Sequence, residues 1–361
     1  MKRWDAIVIG AGIIGLSLAI ELRKKGTSVL VVERGQPGRE ASWAAGGMLA
    51  DCGIEVPAPL QELATASARM YPEFVHELED ESGLKIDLRD AGTLLVHAAA
   101  EVESGQGARA TAEGAPSSLS SGSLQELEPA LRVPAGTASF LKERSVDPRG
   151  LTAAAIGAAK HRAIDFSSGD EVLEVEIAKG KASGVRTAKT SFSGSVVINC
   201  AGAWAGQIRP QPFPTRPVKG QMLCVAMPRR ELLRHVVRTP DVYLIPRSDG
   251  RLLIGATAEE KGFDKQTVPG TIQKLRQAAL ALMPELENAR ILEAWAGLRP
   301  GSPDSLPILG TTDTPGYFVA TGHFRDGILL APVTAKVMAE IVAGKPPEFD
   351  VRAFAASRFE H

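Results

Sequence analysis

The chain has 361 residues, 44% of them hydrophobic and 23% charged, and 41 Lys and Arg against 42 Asp and Glu leave a formal net charge of −1. That length exceeds one ordinary core, so two domains are expected, and the near-neutral balance excludes a nucleic-acid binder that works through a clustered basic surplus. Three widely spaced cysteines (Cys52, Cys200, Cys224) and six unclustered histidines exclude a disulfide framework or a zinc site, and fit reduced thiols in a cytoplasmic protein.

Taken in chain order, Trp4 to Ile9 reads as a strand, Leu16 to Lys25 as a helix and Ser28 to Val32 as a second strand. Asp5 and the glycines that follow argue against a signal peptide. Leu60 to Glu81 reads as a helix and residues 92 to 97 as a strand, and residues 98 to 123, poor in large apolar side chains, as a solvated helix and loop. Ser123 and Glu126 have capping-box spacing, which places a new helix start at Ser123.

A helix from Pro148 to about Arg162 leads into alternating runs at Val172 to Ile177 and Gly184 to Arg186, then a strand at Val196 to Asn199. Residues 217 to 226, 242 to 246 and 251 to 255 read as strands of an antiparallel sheet, with a helix near 268 to 282. A strand at 317 to 321, a Gly-containing loop at 322 to 327 and a helix to about 343 close the pattern. The late apolar stretch from Gly327 to Gly344 contains Pro332, Lys336 and Glu340, so no membrane span is expected.

The chemistry starts at Gly10-Ala11-Gly12-Ile13-Ile14-Gly15, a G-x-G-x-x-G run set between the first strand and the helix. Gly10 permits the tight turn, Gly12 lets a pyrophosphate approach the backbone, Gly15 lets helix and strand pack closely, and the helix N-terminus faces the phosphates. Glu33, at the end of the second strand, is placed to accept hydrogen bonds from both ribose hydroxyls of an adenosine. FAD and NAD share this unit. A second Gly-rich βαβ unit and a paired dithiol are both missing from the sequence, so a flavin here takes its electrons from the substrate itself.

Five further motifs then carry a family resemblance: Glu33-Arg34, Ser42-Trp43-Ala44-Ala45-Gly46-Gly47-Met48-Leu49, Val218-Lys219-Gly220-Gln221, Trp295-Ala296-Gly297-Leu298-Arg299-Pro300 and Gly322-His323-Phe324-Arg325-Asp326-Gly327-Ile328-Leu329. Their order resembles the D-amino-acid oxidase superfamily, and within it the glycine oxidase branch associated with thiamine biosynthesis. The resemblance implies an α/β fold in which a Rossmann-type FAD-binding domain (1–55, 145–210 and 300–361) is interleaved with an antiparallel-sheet substrate domain (56–144 and 211–299). It implies non-covalent FAD held by Gly10, Gly12, Ile13, Ile14 and Gly15, by Glu33 and Arg34, by Ala41, Ser42, Gly46, Gly47 and Met48, by Val172 and Gly202, and by His323, Phe324, Arg325, Asp326, Gly327, Ile328 and Leu329. It also implies a small amino-acid substrate with O2 as co-substrate, and homo-oligomer formation with the number of copies left open. Neither a nucleic-acid nor a membrane partner is expected.

Arg299 is the first choice for binding a substrate carboxylate, because a guanidinium offers a rigid two-pronged donor; the bland alternative is a surface arginine before a Pro turn. Arg325 is either a second pocket arginine or a scaffold residue of the flavin loop. Tyr243 either touches the carboxylate or is core with a wet tip. No side chain is assigned proton transfer, since the reaction expected is hydride transfer from Cα to flavin N5, and His323 is read as structural. Asp304 and Asp313 are read as solvated loop acids and Asp241 as a turn acid near the pocket mouth. The rival readings are a dehydrogenase of the same family that passes electrons to a quinone or a protein, and a non-catalytic flavin-binding protein.

Overall fold

The computed structural model describes residues 2–52, 56–96, 117–133 and 138–359. The solvated helix and loop expected from residue 98 lies outside the described residues as far as 116. Two eight-stranded sheets and one three-stranded sheet organise the rest.

The first sheet grows from the N-terminal βαβ unit: strand β1 (Arg3–Ile9), helix α1 (Ile13–Lys24) and strand β2 (Val29–Glu33). β1 pairs in parallel with β2 on one side and with Ser191–Asn199 on the other, and Asp165–Ser168 and Tyr317–Thr321 extend the parallel array outward. All five residues of β2 are buried, as a strand covered on both faces requires. α1 packs against helices Pro148–His161 and Ala331–Val342. Its Arg23 and Lys24 lie in the last turn, where the helix dipole favours positive charge.

A hairpin, Val172–Ala178 with Lys181–Thr187, joins the early part of Ser191–Asn199 and finishes one edge of this sheet. Sequence periodicity shortens these strands, because their remaining residues are small or polar with little apolar alternation: Gly184 to Arg186 lies in the second half of a seven-residue strand, and Val196 to Asn199 is the end of a nine-residue one.

The second sheet runs in the order Ile291–Gly301, Arg216–Ala226, Arg251–Gly255, Tyr243–Pro246, Val236–Arg238, Thr93–Val96, Ala138–Leu141, Ser117–Leu119. It is antiparallel except where Val236–Arg238 runs parallel to Thr93–Val96. Helix Gln61–Ser82 ends on Gly83, whose φ of +70° supplies the left-handed cap that residues with a Cβ resist. Helix Pro148–His161 starts as expected, with Asp147 accepting from Arg149 N at 3.0 Å and Pro148 in the first turn. The helix expected at Ser123 begins instead at Ser121: Ser120 is its cap and accepts from Ser123 N at 3.1 Å. The Ser123 hydroxyl lies 2.9 Å from that cap, so the second serine answers the first. Among the described residues no helix is long and apolar enough to cross a membrane.

Candidate active site

One face of the second sheet carries a bare patch among larger side chains. Gly220 and Gly297 are paired across Arg216–Ala226 and Ile291–Gly301, and Gly255 is paired with both Met222 and Tyr243, which puts these positions on one face. A Cβ on Gly297 would lie 2.3 Å from the Ala44 methyl, and one on Gly255 would lie 2.7 Å from the Tyr243 ring. The short helix Ala41–Ala44 therefore rides directly on the sheet. Between this face and the edge of the βαβ unit lies a cavity of about 730 Å³, within the range of roughly 300–1,000 Å³ expected of cofactor and ligand clefts.

Every cofactor or substrate residue singled out from the sequence borders that cavity except two. Gly15 serves packing alone, since a Cβ there would lie 2.1 Å from Gly10 O. Leu329 sits behind the cavity in the core, with its carbonyl accepting from Ser67 Oγ at 2.6 Å.

At one end, α1 presents its N-terminus with Gly12 as N-cap and no side-chain cap of its own. Ser42 Oγ accepts from Ile13 N at 3.0 Å, which ties the Ala41–Ala44 helix to the start of α1. The next amides of that turn have no partner four residues back in the helix, which leaves them suited to an anion. Glu33 is buried, and its carboxylate accepts from Ala11 N and Gly35 N, each at 2.8 Å. A carboxylate has about four lone-pair sites, so two remain for ribose hydroxyls. Arg34 lies 3.7 Å over the Trp204 ring, a cation–π stack on the cavity wall, while Val172 and Gly202 line the same region.

In the middle, the Gly46–Met48 segment is gripped from behind. Gly47 has φ +78°, and a Cβ there would lie 2.0 Å from Val146 O, so only glycine fits. Arg247, fully buried, donates to Gly46 O at 2.6 Å, and burial brings its pKa down to about 10 against the pull of Asp147 and Asp87. Trp295 Nε1 donates to Ala44 O at 3.1 Å, and Arg149 stacks 3.6 Å over the adjoining Trp43 ring while it pairs with Glu293 at 2.5 Å. Trp295→Phe keeps the ring and deletes one buried hydrogen bond. We expect it to weaken FAD binding roughly 5-fold, about 1 kcal/mol, as read by flavin fluorescence on titrating apoprotein.

At the far end, Arg299 projects from the interior of strand Ile291–Gly301, so the reading as a surface arginine before a turn is set aside. Its Nη1 donates to Thr257 O at 2.9 Å. Burial pushes the half-buried Tyr243 hydroxyl above its ordinary pKa while the neighbouring Arg299 and Arg325 pull it down. Arg325 is exposed at the rim, 5.2 Å from the Phe324 ring, and Asp241 is exposed at the mouth. Arg238 lines the cavity and pairs with buried Glu143, next to Cys52, whose thiol burial pushes up to about 12.

The loop entering the last helix carries Gly322 at φ +72° and Phe324 at φ +46°, with Phe324 N donating to Pro300 O at 3.0 Å. His323 is buried, its Nε2 lies 3.1 Å from Thr334 Oγ1, and burial drives its pKa down to about 3. It is therefore neutral at any ordinary pH. Because its unfolded counterpart titrates near 6.5, the stability it contributes is present above that pH and falls as pH drops from about 6.5 toward 3. His323→Gln is expected to flatten the decline of Tm between pH 7 and 5 relative to wild type, measured by thermal shift of the FAD-loaded protein.

Gly220 stands in one of the family motifs with no role assigned to it there, and Trp204, Gly255, Thr257 and Arg247 belong to the site without having been singled out from the sequence. Their signals are weak in isolation: glycines in strands, a threonine at a strand end, an arginine after a Pro. The two loop acids are both exposed turn residues, and Asp304 also pairs with Arg358 at 2.8 Å.

Comparison with known proteins gives the same picture from outside. A model of the DAO family, described as FAD dependent oxidoreductase, matches residues 5–341. The bifunctional protein ThiO/ThiG of Trichormus variabilis is 33% identical over 366 residues, covering 99% of this chain and 55% of that protein, so the chain spans about half the length of that relative. Glycine oxidase of Pseudomonas aeruginosa is 34% identical over 97% of both chains. The solved structure of glycine oxidase from Geobacillus kaustophilus superposes with a TM-score of 0.92 at 30% identity over the whole of both chains.

Proposed function

The chain belongs to the DAO family of FAD-dependent oxidoreductases, and on that footing we propose that it oxidises the Cα–N bond of a small amino acid, glycine first among them. The observation that carries this reading is the Arg299 guanidinium, fixed at the cavity end opposite the βαβ unit with Tyr243 beside it. A rigid two-pronged cation in a partly desolvated cleft is suited to one carboxylate, and the neighbouring hydroxyl suits the same group.

FAD, when bound, accepts the two electrons released from the substrate carbon. We assign its adenosine to Glu33, Arg34 and Val172, its pyrophosphate to the Gly10–Ile14 turn, and its ring system to Gly46–Met48 and His323–Ile328. The strands of the first sheet form the FAD domain and most of those of the second form the substrate domain. Arg299 holds the carboxylate, the bare patch of the sheet leaves room for the Cα, and the walls exclude water. His323, neutral and held on Thr334, moves no proton. The overall reaction is amino acid, O2 and water giving 2-oxo acid, ammonia and hydrogen peroxide.

The test is an anaerobic bleaching screen of the FAD-loaded protein with glycine, sarcosine and both alanine enantiomers, followed by peroxide measurement in air. Bleaching with glycine and one peroxide per substrate consumed supports the proposal. Flavin that stays oxidised with every amine removes it. Bleaching with little peroxide moves the chain to a dehydrogenase that uses another electron acceptor.

A further inference from the structure

The Val218-Lys219-Gly220-Gln221 motif has no part in the function argued so far, yet it lies directly under Arg299. Val218 and Arg299 are paired across the two strands, and Gly220 is two residues along on the same face. A Cβ on Gly220 would lie 2.3 Å from Arg299 Nη1, 2.5 Å from Nη2 and 2.6 Å from Cζ. The guanidinium thus lies flat against bare backbone, at a depth that any side chain at position 220 forbids. We propose that Gly220 is a positioning residue, and that the bare backbone at this one position sets the depth and tilt at which Arg299 meets the substrate carboxylate. The inference deepens the amino-acid reading and rests on it.

The surrounding contacts argue that the platform is rigid. The other side of the guanidinium's seat is Thr257 O, and Thr257 is itself braced. Its Oγ1 accepts from Gln221 N at 2.9 Å and donates to Glu259 Oε1 at 2.5 Å, while Gln221 Nε2 donates to the same Glu259 oxygen at 2.7 Å. Gln221 Oε1 accepts from Val268 N at 2.7 Å, and Lys219 and Glu259 exchange backbone hydrogen bonds at 2.9 Å each way. Lys219, only 1% exposed, reaches Asp264 at 2.7 Å and pins the strand from its other face. Gly220 is thus flanked by two residues that hold the backbone still, and a methyl at 220 has to displace the guanidinium rather than the strand.

The experiment compares wild type, Gly220→Ala, Arg299→Ala and the double variant as FAD-loaded proteins. Three quantities are read: the KM and kcat for glycine, and the Kd for glycolate, which keeps the carboxylate and replaces the amine by a hydroxyl, from its perturbation of the flavin spectrum. Gly220→Ala is expected to raise both KM and glycolate Kd about 30-fold with a smaller change in kcat, since a displacement of about 1 Å at a positioning group can cost up to about 100-fold. In the Arg299→Ala background the same change should cost less than about 3-fold, because the group through which it acts is gone.

An undiminished effect in that background, or a glycolate Kd within about 3-fold of wild type for Gly220→Ala alone, overturns the proposal. If Gly220→Ala does not retain FAD, Thr257→Val decides: a glycolate Kd raised at least about 5-fold with normal FAD content supports it, and an unchanged Kd or loss of FAD there too overturns it. The glycolate arm needs no turnover. A protein whose flavin glycine never bleaches, but whose glycolate Kd still moves as described, loses the substrate assignment and keeps Gly220 as the seat of Arg299.

Discussion

Arg299→Met should yield a yellow, folded protein with normal FAD content whose kcat/KM for glycine is lower by about 30-fold to several thousand-fold, the 2–5 kcal/mol typical of removing one partner from a buried charged pair. Methionine follows the arginine stem as far as Nε and removes only the Cζ and Nη atoms that rest on Gly220, so the loss reports the guanidinium itself. Among the described residues it surrenders the hydrogen bond to Thr257 O and the interaction with the Tyr243 hydroxyl. Arg299→Lys should recover part of the loss, because an ammonium restores charge without the planar fork. The pair is read from steady-state kinetics and from the rate of anaerobic bleaching at rising glycine. A kcat/KM for Arg299→Met within about 3-fold of wild type would remove Arg299 from the substrate site.

The second large effect is expected at the opposite end of the cavity. Glu33→Ala removes the acceptor for Ala11 N and Gly35 N, and the group assigned to the ribose. Each buried N–H left without a partner costs about 1–3 kcal/mol, so the turn that shapes the phosphate site loosens as the ribose contact disappears. The variant should purify colourless, with FAD affinity reduced at least about 100-fold and a lower Tm. Glu33→Gln should behave similarly, since its amide NH2 would face one of two N–H donors. Gel filtration followed by the flavin-to-protein absorbance ratio decides it. FAD retention equal to wild type in both variants would assign Glu33 to the turn alone.

What could be read in advance divides along physical lines. The βαβ unit is encoded locally: an apolar run, three spaced glycines, a helical stripe and a terminal acid all lie within residues 3–33, and each constrains the backbone by itself. The long strand that carries Arg299 was harder, because Trp295 to Gly301 lacks the polar–apolar alternation of a strand and includes two glycines and a proline, which read as a turn when taken alone. What makes it a strand is its pairing with Arg216–Ala226, about 75 residues away, and that pairing leaves no local mark. The helix cap failed for a smaller reason: two serines three apart can each serve, and the backbone chose the earlier one. Trp204 and Thr257 lay beyond reach because their roles exist only once Arg34 and Arg299 lie against them.

The topology also bears on how the protein is made. Residue 3 is paired with residue 193, and the strand that contains residue 193 is in turn flanked by residues 317 to 319. One edge of β1 therefore stays unpaired until the strand about 190 residues downstream has been made, and the cavity lacks its wall at residues 323–328 until those residues follow. A fully walled cavity thus waits on residues 323–328. During that interval the exposed edge of β1 is a template for the wrong partner, and flavin favours the right one by binding only the completed fold.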